Sequence, residues 1–193
     1  VDTLTAEGIL AFGPTANAAL IESSKIFSAK LMEKYSIPHA KGRNFSSYGA
    51  ARRYLLANKD AIEKRGIVIK ADGLAFGKGV DVSKNLQEAL EGLERIMLDP
   101  GDAKRRVCIE ERLVGKEFSF IVFTDGKTIL PLPTACDYKR VKTGDRGPNT
   151  GGMGAYSPAE FIDSQLAKEA QCIMQKAVDA MAAEGRPFKG VLY

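Results

Sequence analysis

The chain has 193 residues, of which 45% are hydrophobic and 27% are charged, and its formal net charge is +4. This composition is that of an ordinary globular protein made of one domain or of parts of two. The small net charge, with no basic run interleaved with aromatic residues, argues against a nucleic-acid partner. No apolar stretch reaches the ~20 residues that cross a bilayer, and we expect neither a membrane partner nor a signal peptide.

The cysteine and histidine content narrows the possible chemistry. Cys108, Cys136 and Cys172 lie far apart and form no C-x-x-C pair, which argues against a disulfide framework or a zinc site. This pattern favours a reducing compartment, and we predict the cytosol. His39 is the only histidine and follows Pro38 in a predicted surface turn, so a histidine triad built elsewhere in the chain and a multi-histidine metal site are excluded. The chemistry is therefore expected to rely on lysine, carboxylate and backbone groups.

The first part of the chain predicts two helices, a strand, a glycine-rich stretch and a second strand. Ser23 or Ser24 can cap a helix that ends at residues 37–38, and another helix is predicted over roughly 47–59. A short apolar strand over 67–69 runs into Lys70. The glycine-rich stretch, which we define as residues 70–80 (KADGLAFGKGV), leads into a strand over 80–82.

The second part of the chain predicts a helix, strands, a loop and a long final helix. Asn85 with Glu88 forms a capping pair for a helix that is stopped by DPG at 99–101. A strand follows with 107, 109, 111 and 113 on one face, then a hairpin over 117–132 that turns at Asp125-Gly126. Residues 133–157 are predicted to be an irregular polar segment without elements of its own, and a helix is predicted over about 163–184. Together these elements predict an α+β fold with a largely antiparallel sheet.

Both termini carry features of a longer protein. The chain opens on Val1 without a methionine and stops at Tyr193 inside a predicted strand. We expect it to be a fragment.

The glycine-rich stretch fits neither of two familiar phosphate-binding patterns. Gly73 and Gly77 bracket only three residues, and Lys78 is followed by Gly79 instead of a serine or threonine, so the P-loop pattern fails. The dinucleotide pattern G-x-G-x-x-G fails as well. One interpretation is a wide β-turn with lysines for solubility; the other is a flap whose backbone N–H groups and Lys78 cover a triphosphate. Lys70 slightly favours the flap, because a lysine that closes an apolar strand must direct its ammonium group out of the core.

Two further regions are candidates for a site. Acidic residues lie near the end of the predicted strand, within 109–113, and recur at Glu117. They are either solvated or part of a nucleotide site, in which the backbone at the strand end meets an adenine edge and a carboxylate a few residues on accepts from the ribose hydroxyls. Residues 137–154, which we call the polar loop, contain four glycines in the eight residues 147–154, together with Lys139 and Arg140. Arginine favours bidentate contacts to phosphate or carboxylate, so we prefer a ligand-binding loop to a disordered linker.

Several stretches resemble, in the same order, those of one enzyme family. They are FGP at 12–14, ESSK at 22–25, VIKADGLA at 68–75, GKGV at 77–80, IEE at 109–111 and GPNTGGMGAYSP at 147–158. The chain resembles, over essentially its whole length, the phosphoribosylamine–glycine ligases of the ATP-grasp superfamily, which serve de novo purine synthesis. The glycine-rich stretch is shared loosely by many ATP-grasp enzymes, whereas GPNTGGMGAYSP occurs in a much narrower group and makes the resemblance specific.

The resemblance implies a partial ATP-grasp fold of two α+β subdomains with largely antiparallel sheets. It implies a lead-in from an N-terminal domain over 1–43, a small clamp subdomain over 44–114 and the first part of a larger subdomain over 115–193. ATP phosphates would be contacted by Lys25 and Lys70, under a lid that includes Gly73, Gly77, Lys78 and Gly79. Adenine would be met by Glu110, Glu111 and Leu113, and ribose by Glu117. The catalytic residues would be Lys139 and Arg140, and the substrate pocket would include Asp137, Asn149, Thr150, Gly151, Gly152, Met153 and Gly154.

The resemblance also implies the chemistry and the small-molecule partners. Glycine and ATP would form a glycyl phosphate, from which the amine of 5-phosphoribosylamine displaces phosphate. The Mg²⁺ ligands are expected beyond the C-terminus of this chain, with no metal ligand within it, so the chain alone is not expected to be active. Phe76 and Tyr138 stand where the family usually has alanine and histidine. Another ATP-grasp carboxylate–amine ligase, or a non-catalytic nucleotide-binding module, remains an alternative.

Overall fold

The computed structural model describes residues 1–73, 79–98, 106–144 and 146–193, without the side chains of Pro148 and Asn149. The chain divides into two compact units. The first unit comprises Val1–Leu20, Leu31–Pro38 and Gly115–Tyr193, and the second comprises Ile21–Lys30 and His39–Val114.

Helices are concentrated in the first half of the described chain and strands in the second half. The elements from the first residues to the end of β4 are α1 (Asp2–Ala6), α2 (Leu20–Ser23), α3 (Lys25–Lys34), β1 (Gly42–Phe45), α4 (Tyr48–Ala57), α5 (Lys59–Arg65), β2 (Ile67–Ala71), β3 (Val80–Ser83), α6 (Leu86–Met97) and β4 (Val107–Glu111). They are followed by β5 (Val122–Thr124), β6 (Ile129–Pro131), β7 (Cys136–Asp137), β8 (Arg140–Lys142), β9 (Arg146–Asn149), β10 (Ala155–Tyr156), α7 (Ser164–Ala183) and β11 (Gly190–Leu192).

The second unit is built on an antiparallel sheet of strand order β1-β4-β2-β3. Apolar side chains of β2 and β4 form one core with residues from α4, α5 and α6. Leu55, Ile69, Leu93 and Ile109 are fully buried there. Because neighbouring side chains of a strand point to opposite faces, Lys70 and Glu110 lie on the face away from Ile69 and Ile109.

The first unit contains an antiparallel three-stranded sheet of order β11-β5-β6 and the long helix α7. Val122, Val178, Met181 and Phe188 are buried in this unit. The hairpin of β5 and β6 confirms the predicted turn, although Thr124 pairs with Ile129 and the loop therefore has four residues. The Asp125 carboxylate accepts the N–H groups of residues 127 and 128, which explains why the turn begins at an aspartate.

The α+β class and the antiparallel pairing predicted from the sequence are confirmed. Ser24 caps α3, since its hydroxyl accepts the N–H of Phe27 at 3.1 Å. Asn85 caps α6 through the N–H of Glu88 at 2.9 Å, as predicted. The predicted stop of α6 at 99–101 lies outside the described residues.

The structure differs from three expectations about elements. The helix predicted over roughly 47–59 is α4 (Tyr48–Ala57), and the sequence did not predict α5, which begins after the backbone at Asn58 leaves the helical conformation. Leu113, which is 68% exposed, does not share the strand face of Val107, Ile109 and Glu111, because β4 ends at Glu111. The segment 133–157 is not free of elements, since β7 pairs with β10 and β8 with β9. Strands of two to four residues without apolar alternation leave too little pattern to predict.

Candidate functional site

In the second unit, Lys70 and Glu110 form an ion pair on adjacent strands. The Lys70 Nζ lies 2.5 Å from the Glu110 Oε2, and the side chains are 33% and 10% exposed. The pairing of β2 with β4 places Lys70 opposite Cys108, two residues before Glu110, so both groups reach the same face of the sheet. A carboxylate this deeply buried needs such a partner, since an unpaired buried charge is strongly unfavourable. Lys70 keeps enough exposure to reach a ligand as well.

Cys108 completes this polar group below the sheet surface. Its thiol donates to the Glu110 Oε1 at 3.1 Å and is 2% exposed. Burial, and next the hydrogen bond to Glu110, raise the pKa of Cys108 to about 12. The thiol is therefore protonated at neutral pH and acts as a hydrogen-bond donor, not as a nucleophile.

The glycine-rich stretch begins and ends at the sheet. The N–H of Ala71 donates to the carbonyl of Gly79 at 2.7 Å, which closes the base of the stretch. Gly73 has a φ of +102°, a conformation that side-chain-bearing residues rarely adopt. Gly77, Lys78 and the variant residue Phe76 lie outside the described residues.

Lys25 reaches the start of the glycine-rich stretch. Its Nζ donates to the carbonyl of Gly73 at 2.9 Å. Lys70 precedes Gly73 by three residues at the end of β2. The structure thus joins Lys25 directly to the stretch that Lys70 opens, although residues 25 and 73 are far apart in sequence. We call Lys25, Lys70 and Gly73 the lysine cluster.

Asp72 lies inside this cluster, and sequence reasoning assigned it no role. Its carboxylate accepts from the Ser24 hydroxyl, the Ile26 N–H and the Arg106 guanidinium. The only signal in the sequence was its place within KADGLA. The donors come from residues 24, 26 and 106, which no local pattern connects to it.

Glu111 and Leu113 lie where β4 ends. Glu111 accepts the N–H of Lys41 through its Oε1 at 2.9 Å, and Leu113 is 68% exposed. The backbone groups that follow the strand are therefore outside the β-ladder, as a contact to a ligand edge requires.

In the first unit, the polar loop folds back on itself. Thr150 donates through both its N–H and its hydroxyl to the carbonyl of Lys139, at 2.7 Å and 2.9 Å. Met153 donates its N–H to Tyr138, and Tyr138 donates its N–H to Gly154. The 150–154 segment is consequently held beside residues 138 and 139, with Gly151 and Gly152 exposed between these contacts. Asn149 is placed in β9, without a description of its side chain.

The charged side chains of the polar loop are only loosely paired. Lys139 lies 3.5 Å from the Glu117 carboxylate and 3.7 Å from that of Asp137. Arg140 donates to the carbonyl of Gly147 at 2.7 Å. The variant residue Tyr138 is 58% exposed, and its ring packs against that of Tyr156, with the ring centroids 5.9 Å apart. These side chains are exposed enough to exchange their present contacts for an anionic ligand.

No group of three or more His, Cys, Asp or Glu residues is arranged to hold a metal ion in the described part of the chain. Within the same residues, no helix is both long and apolar enough to span a bilayer. A cavity of ≈ 570 Å³ in the first unit, which the sequence did not predict, is lined in part by Phe12, Asn17, Asp125 and Lys189.

Comparison with known proteins decides the family. The family model described as phosphoribosylglycinamide synthetase, ATP-grasp (A) domain, matches residues 23–193. The chain belongs to this family. The resemblance inferred from the motifs is therefore confirmed, and so is the ATP-grasp character of the α+β fold.

Individual relatives agree with the family model. The chain is 50% identical over its whole length to a phosphoribosylamine–glycine ligase from Listeria monocytogenes, of which it covers 46%. It is 47% identical to the trifunctional purine biosynthetic protein adenosine-3 of Gallus gallus, of which it covers 19%. The chain thus spans about half the length, or less, of the curated relatives it matches.

Solved structures give the same result. The crystal structure of phosphoribosylamine–glycine ligase from Thermotoga maritima superposes with a TM-score of 0.79 and 35% sequence identity. The match covers 93% of this chain and 45% of the Thermotoga maritima chain. A carboxyaminoimidazole ribonucleotide synthase from Aspergillus clavatus, complexed with ATP, matches with 20% identity and a TM-score of 0.68. At that identity the second match shows the fold alone.

Proposed function

We propose that this chain is the nucleotide-binding part of an ATP-dependent ligase that joins glycine to 5-phosphoribosylamine. The observation that carries the proposal is the lysine cluster: the Lys25 ammonium donates to Gly73, within the glycine-rich stretch that Lys70 begins. Family membership supports this reaction and these substrates. We further propose that the protein acts in the cytosol, which the scattered cysteines support.

Each predicted site residue has a place in this proposal. Lys25 and Lys70 contact the phosphates, and the lid comprises Gly73, Gly77, Lys78 and Gly79. Glu110, Glu111 and Leu113 meet adenine, and Glu117 accepts from the ribose. The substrate pocket comprises Asp137, Lys139, Arg140, Asn149, Thr150, Gly151, Gly152, Met153 and Gly154. In domain terms, residues 1–43 form a lead-in segment from an N-terminal domain. Residues 44–114 form the small clamp subdomain, and residues 115–193 form the first part of the larger subdomain.

The reaction needs cationic and N–H groups because its reactants are anions. The glycine carboxylate attacks the γ-phosphorus of ATP, the bond to the bridging oxygen breaks, and ADP leaves with that electron pair. At ~4 Å and an effective dielectric constant of ~20, each pair of like unit charges repels by roughly 4 kcal/mol. The ammonium groups of Lys25 and Lys70 offset this repulsion, as cations do in other phosphoryl transfers.

The second step forms the amide bond. The amine of phosphoribosylamine attacks the acyl carbon of glycyl phosphate, the C–O bond to phosphate breaks, and the amine releases one proton. Lys139 and Arg140 are proposed to hold the phosphate that departs, since both side chains are exposed or partly exposed in the polar loop. We propose Mg²⁺ as a cofactor of the reaction and assign no residue of this chain to it.

Equilibrium binding of ATP tests the nucleotide site. We expect binding at millimolar ATP or below, and a loss of at least about tenfold in Lys70→Ala, because one ammonium contact to phosphate disappears. Lys168→Ala, at an exposed position of α7, is the matched control and is expected to bind ATP as the unsubstituted chain does. Absence of ATP binding by the unsubstituted chain would contradict the proposal.

Activity of the full-length protein tests the substrates. We expect ADP release that requires both glycine and phosphoribosylamine. Turnover with a different carboxylic acid would identify another ATP-grasp carboxylate–amine ligase. ATP binding with no turnover of any acid would favour a non-catalytic nucleotide-binding module.

A further inference from the structure

We propose that Asp72 is a positioning residue that holds Lys25 against the start of the glycine-rich stretch and thereby sets where Lys25 meets a polyphosphate. The inference rests on the proposed function, because it assigns a role within the same nucleotide site. Asp72 follows β2 directly, two residues after Lys70.

Both carboxylate oxygens of Asp72 are occupied by donors. Oδ1 accepts from the Ser24 hydroxyl at 2.9 Å and from the Ile26 N–H at 3.1 Å. Oδ2 accepts from the Arg106 guanidinium at 2.6 Å, and the Asp72 side chain is only 5% exposed. The Asp72 N–H also donates to the carbonyl of Arg106 at 2.8 Å. A buried carboxylate with three donors is held in one orientation.

Two of these donors belong to the beginning of α3. The first N–H groups of a helix have no partner within the helix and need one from outside. Ser24 satisfies that of Phe27, whereas the Ile26 N–H is satisfied by Asp72. Asp72 thus caps α3 from a distant part of the chain. The first turn of α3, which Lys25 begins, is thereby tied to the end of β2.

The Lys25 side chain makes a second link to the same place. Its ammonium group donates to the carbonyl of Gly73, the residue after Asp72. An ammonium group carries three donors, so two remain for phosphate oxygens. Because its two chain neighbours, Ser24 and Ile26, donate to the Asp72 carboxylate and its own Nζ donates to the Gly73 carbonyl, Lys25 loses less freedom when a phosphate binds. The position of Lys25 is therefore determined before ATP arrives.

The second unit contains a matched acid that lacks this connection. Asp81 on β3 accepts from the Ser83 hydroxyl and from the Arg95 guanidinium, and its side chain is 18% exposed. It shares with Asp72 a serine partner and an arginine partner, but it makes no contact with α3 or the lysine cluster among the described hydrogen bonds. Asp81→Ala therefore serves as the control for Asp72→Ala.

The test is the affinity of the chain for ATP and for adenosine, which has no phosphate. We expect Asp72→Ala to weaken ATP binding about tenfold and adenosine binding less than about twofold, since only the phosphate contact of Lys25 is displaced. Asp81→Ala is expected to leave the ratio of the two dissociation constants unchanged. An equal loss for ATP and adenosine in Asp72→Ala would show a merely structural role and overturn the inference.

A double-mutant cycle tests whether Asp72 acts through Lys25. In a Lys25→Ala background, Asp72→Ala is expected to weaken ATP binding by less than about twofold further, because the group it positions is gone. Additive losses would overturn the inference. If Asp72→Ala does not fold, Ser24→Ala is used instead, because it removes one donor to Asp72 and keeps the carboxylate. Ser24→Ala is expected to lower the affinity for ATP more than that for adenosine. An equal effect on both ligands would overturn the inference.

The two proposals fail in distinguishable ways. If the unsubstituted chain does not bind ATP, the proposed function falls and the role of Asp72 falls with it. If ATP binds and Lys25→Ala weakens it, but Asp72→Ala has no selective effect, only the role of Asp72 is wrong.

Discussion

The carboxylate of Glu110 and the ammonium of Lys70 depend on each other for their stability. Breaking a buried pair by removing one partner is costly because the other charge remains buried. We expect Lys70→Met to lower the free energy of unfolding by about 2 kcal/mol, somewhat below the fully buried range because Lys70 is 33% exposed. The double variant Lys70→Met/Glu110→Gln is expected to recover part of this loss.

Urea unfolding of the two single variants and the double variant measures that coupling. Lys139→Met is the control, since Lys139 is 49% exposed and pairs with Glu117 at 3.5 Å. A change of less than about 1 kcal/mol is expected there, as for other surface pairs. Additive losses at residues 70 and 110 would show that the two charges do not depend on each other.

We predict that the buried Cys108 thiol makes the folded chain less stable at alkaline pH. Burial, followed by its hydrogen bond to Glu110, raises the pKa from 9.0 to about 12. Between these values the unfolded chain loses the thiol proton and the folded chain keeps it, so the unfolding free energy falls as pH rises. We expect the stability advantage of the unsubstituted chain over Cys108→Ala to shrink by roughly 1–2 kcal/mol between pH 8 and pH 10.5.

Denaturant unfolding of both proteins at the two pH values checks this expectation. The comparison removes the contribution of the other titrating groups, because Cys172 and the lysines are common to both chains. An advantage that is equal at pH 8 and pH 10.5 would contradict it. Cys172→Ala, at an exposed position, is expected to show no such change.

At the scale of elements, the cap of α6 is a local feature that the sequence predicts with its partners. The Asn85 Oδ1 accepts the N–H of Glu88, and the Glu88 carboxylate accepts the N–H of Lys84 at 2.8 Å. We expect Asn85→Ala to cost about 1 kcal/mol of unfolding free energy, because one N–H of the first turn loses its acceptor. Gln87→Ala, exposed in the same turn, is expected to change stability by less than about 0.5 kcal/mol. Thermal unfolding of both variants measures the difference. Equal losses of stability in Asn85→Ala and Gln87→Ala would argue against the cap.

The elements that the sequence predicted best are those with their own signals. α6 and α7 have side-chain caps and apolar residues at helical spacing, and the β5–β6 hairpin has an Asp-Gly turn. The pairs β7–β10 and β8–β9 were not predicted, because each is held by contacts between segments that carry no apolar alternation. Local chemistry marks a helix end or a tight turn, whereas a short strand exists only where a partner pairs with it.

At the scale of the whole chain, Glu184 joins segments that are 150 residues apart. Its carboxylate accepts from the Lys34 ammonium at 2.6 Å and from the Tyr35 hydroxyl at 2.8 Å. The hydrogen bond from Lys34, and next that from Tyr35, hold the pKa of Glu184 below its usual 4.5. The stabilisation is therefore present above pH 4.5 and is lost as pH falls through the lowered pKa.

Glu184→Gln isolates this contribution. We expect the unsubstituted chain to have the higher urea midpoint at pH 7 and the difference to shrink at pH 3, because below pH 4.5 the carboxylate gains its proton first in the unfolded chain. Glu33→Gln, exposed on α3, is the control and is expected to leave the midpoint nearly unchanged at both pH values. A difference that is independent of pH would show that the carboxylate charge is not responsible.

Family, fold class and candidate residues followed from the amino-acid order alone, because GPNTGGMGAYSP, KADGLA and the cap and turn residues are contiguous in the chain. The partners of those residues did not. The contact of Lys25 with Gly73, the pairing of Lys70 with Glu110 and the burial of Asp72 required the folded chain. The physical reason is that a hydrogen bond or an ion pair depends on distance in space, and a linear pattern carries distance only for neighbouring residues.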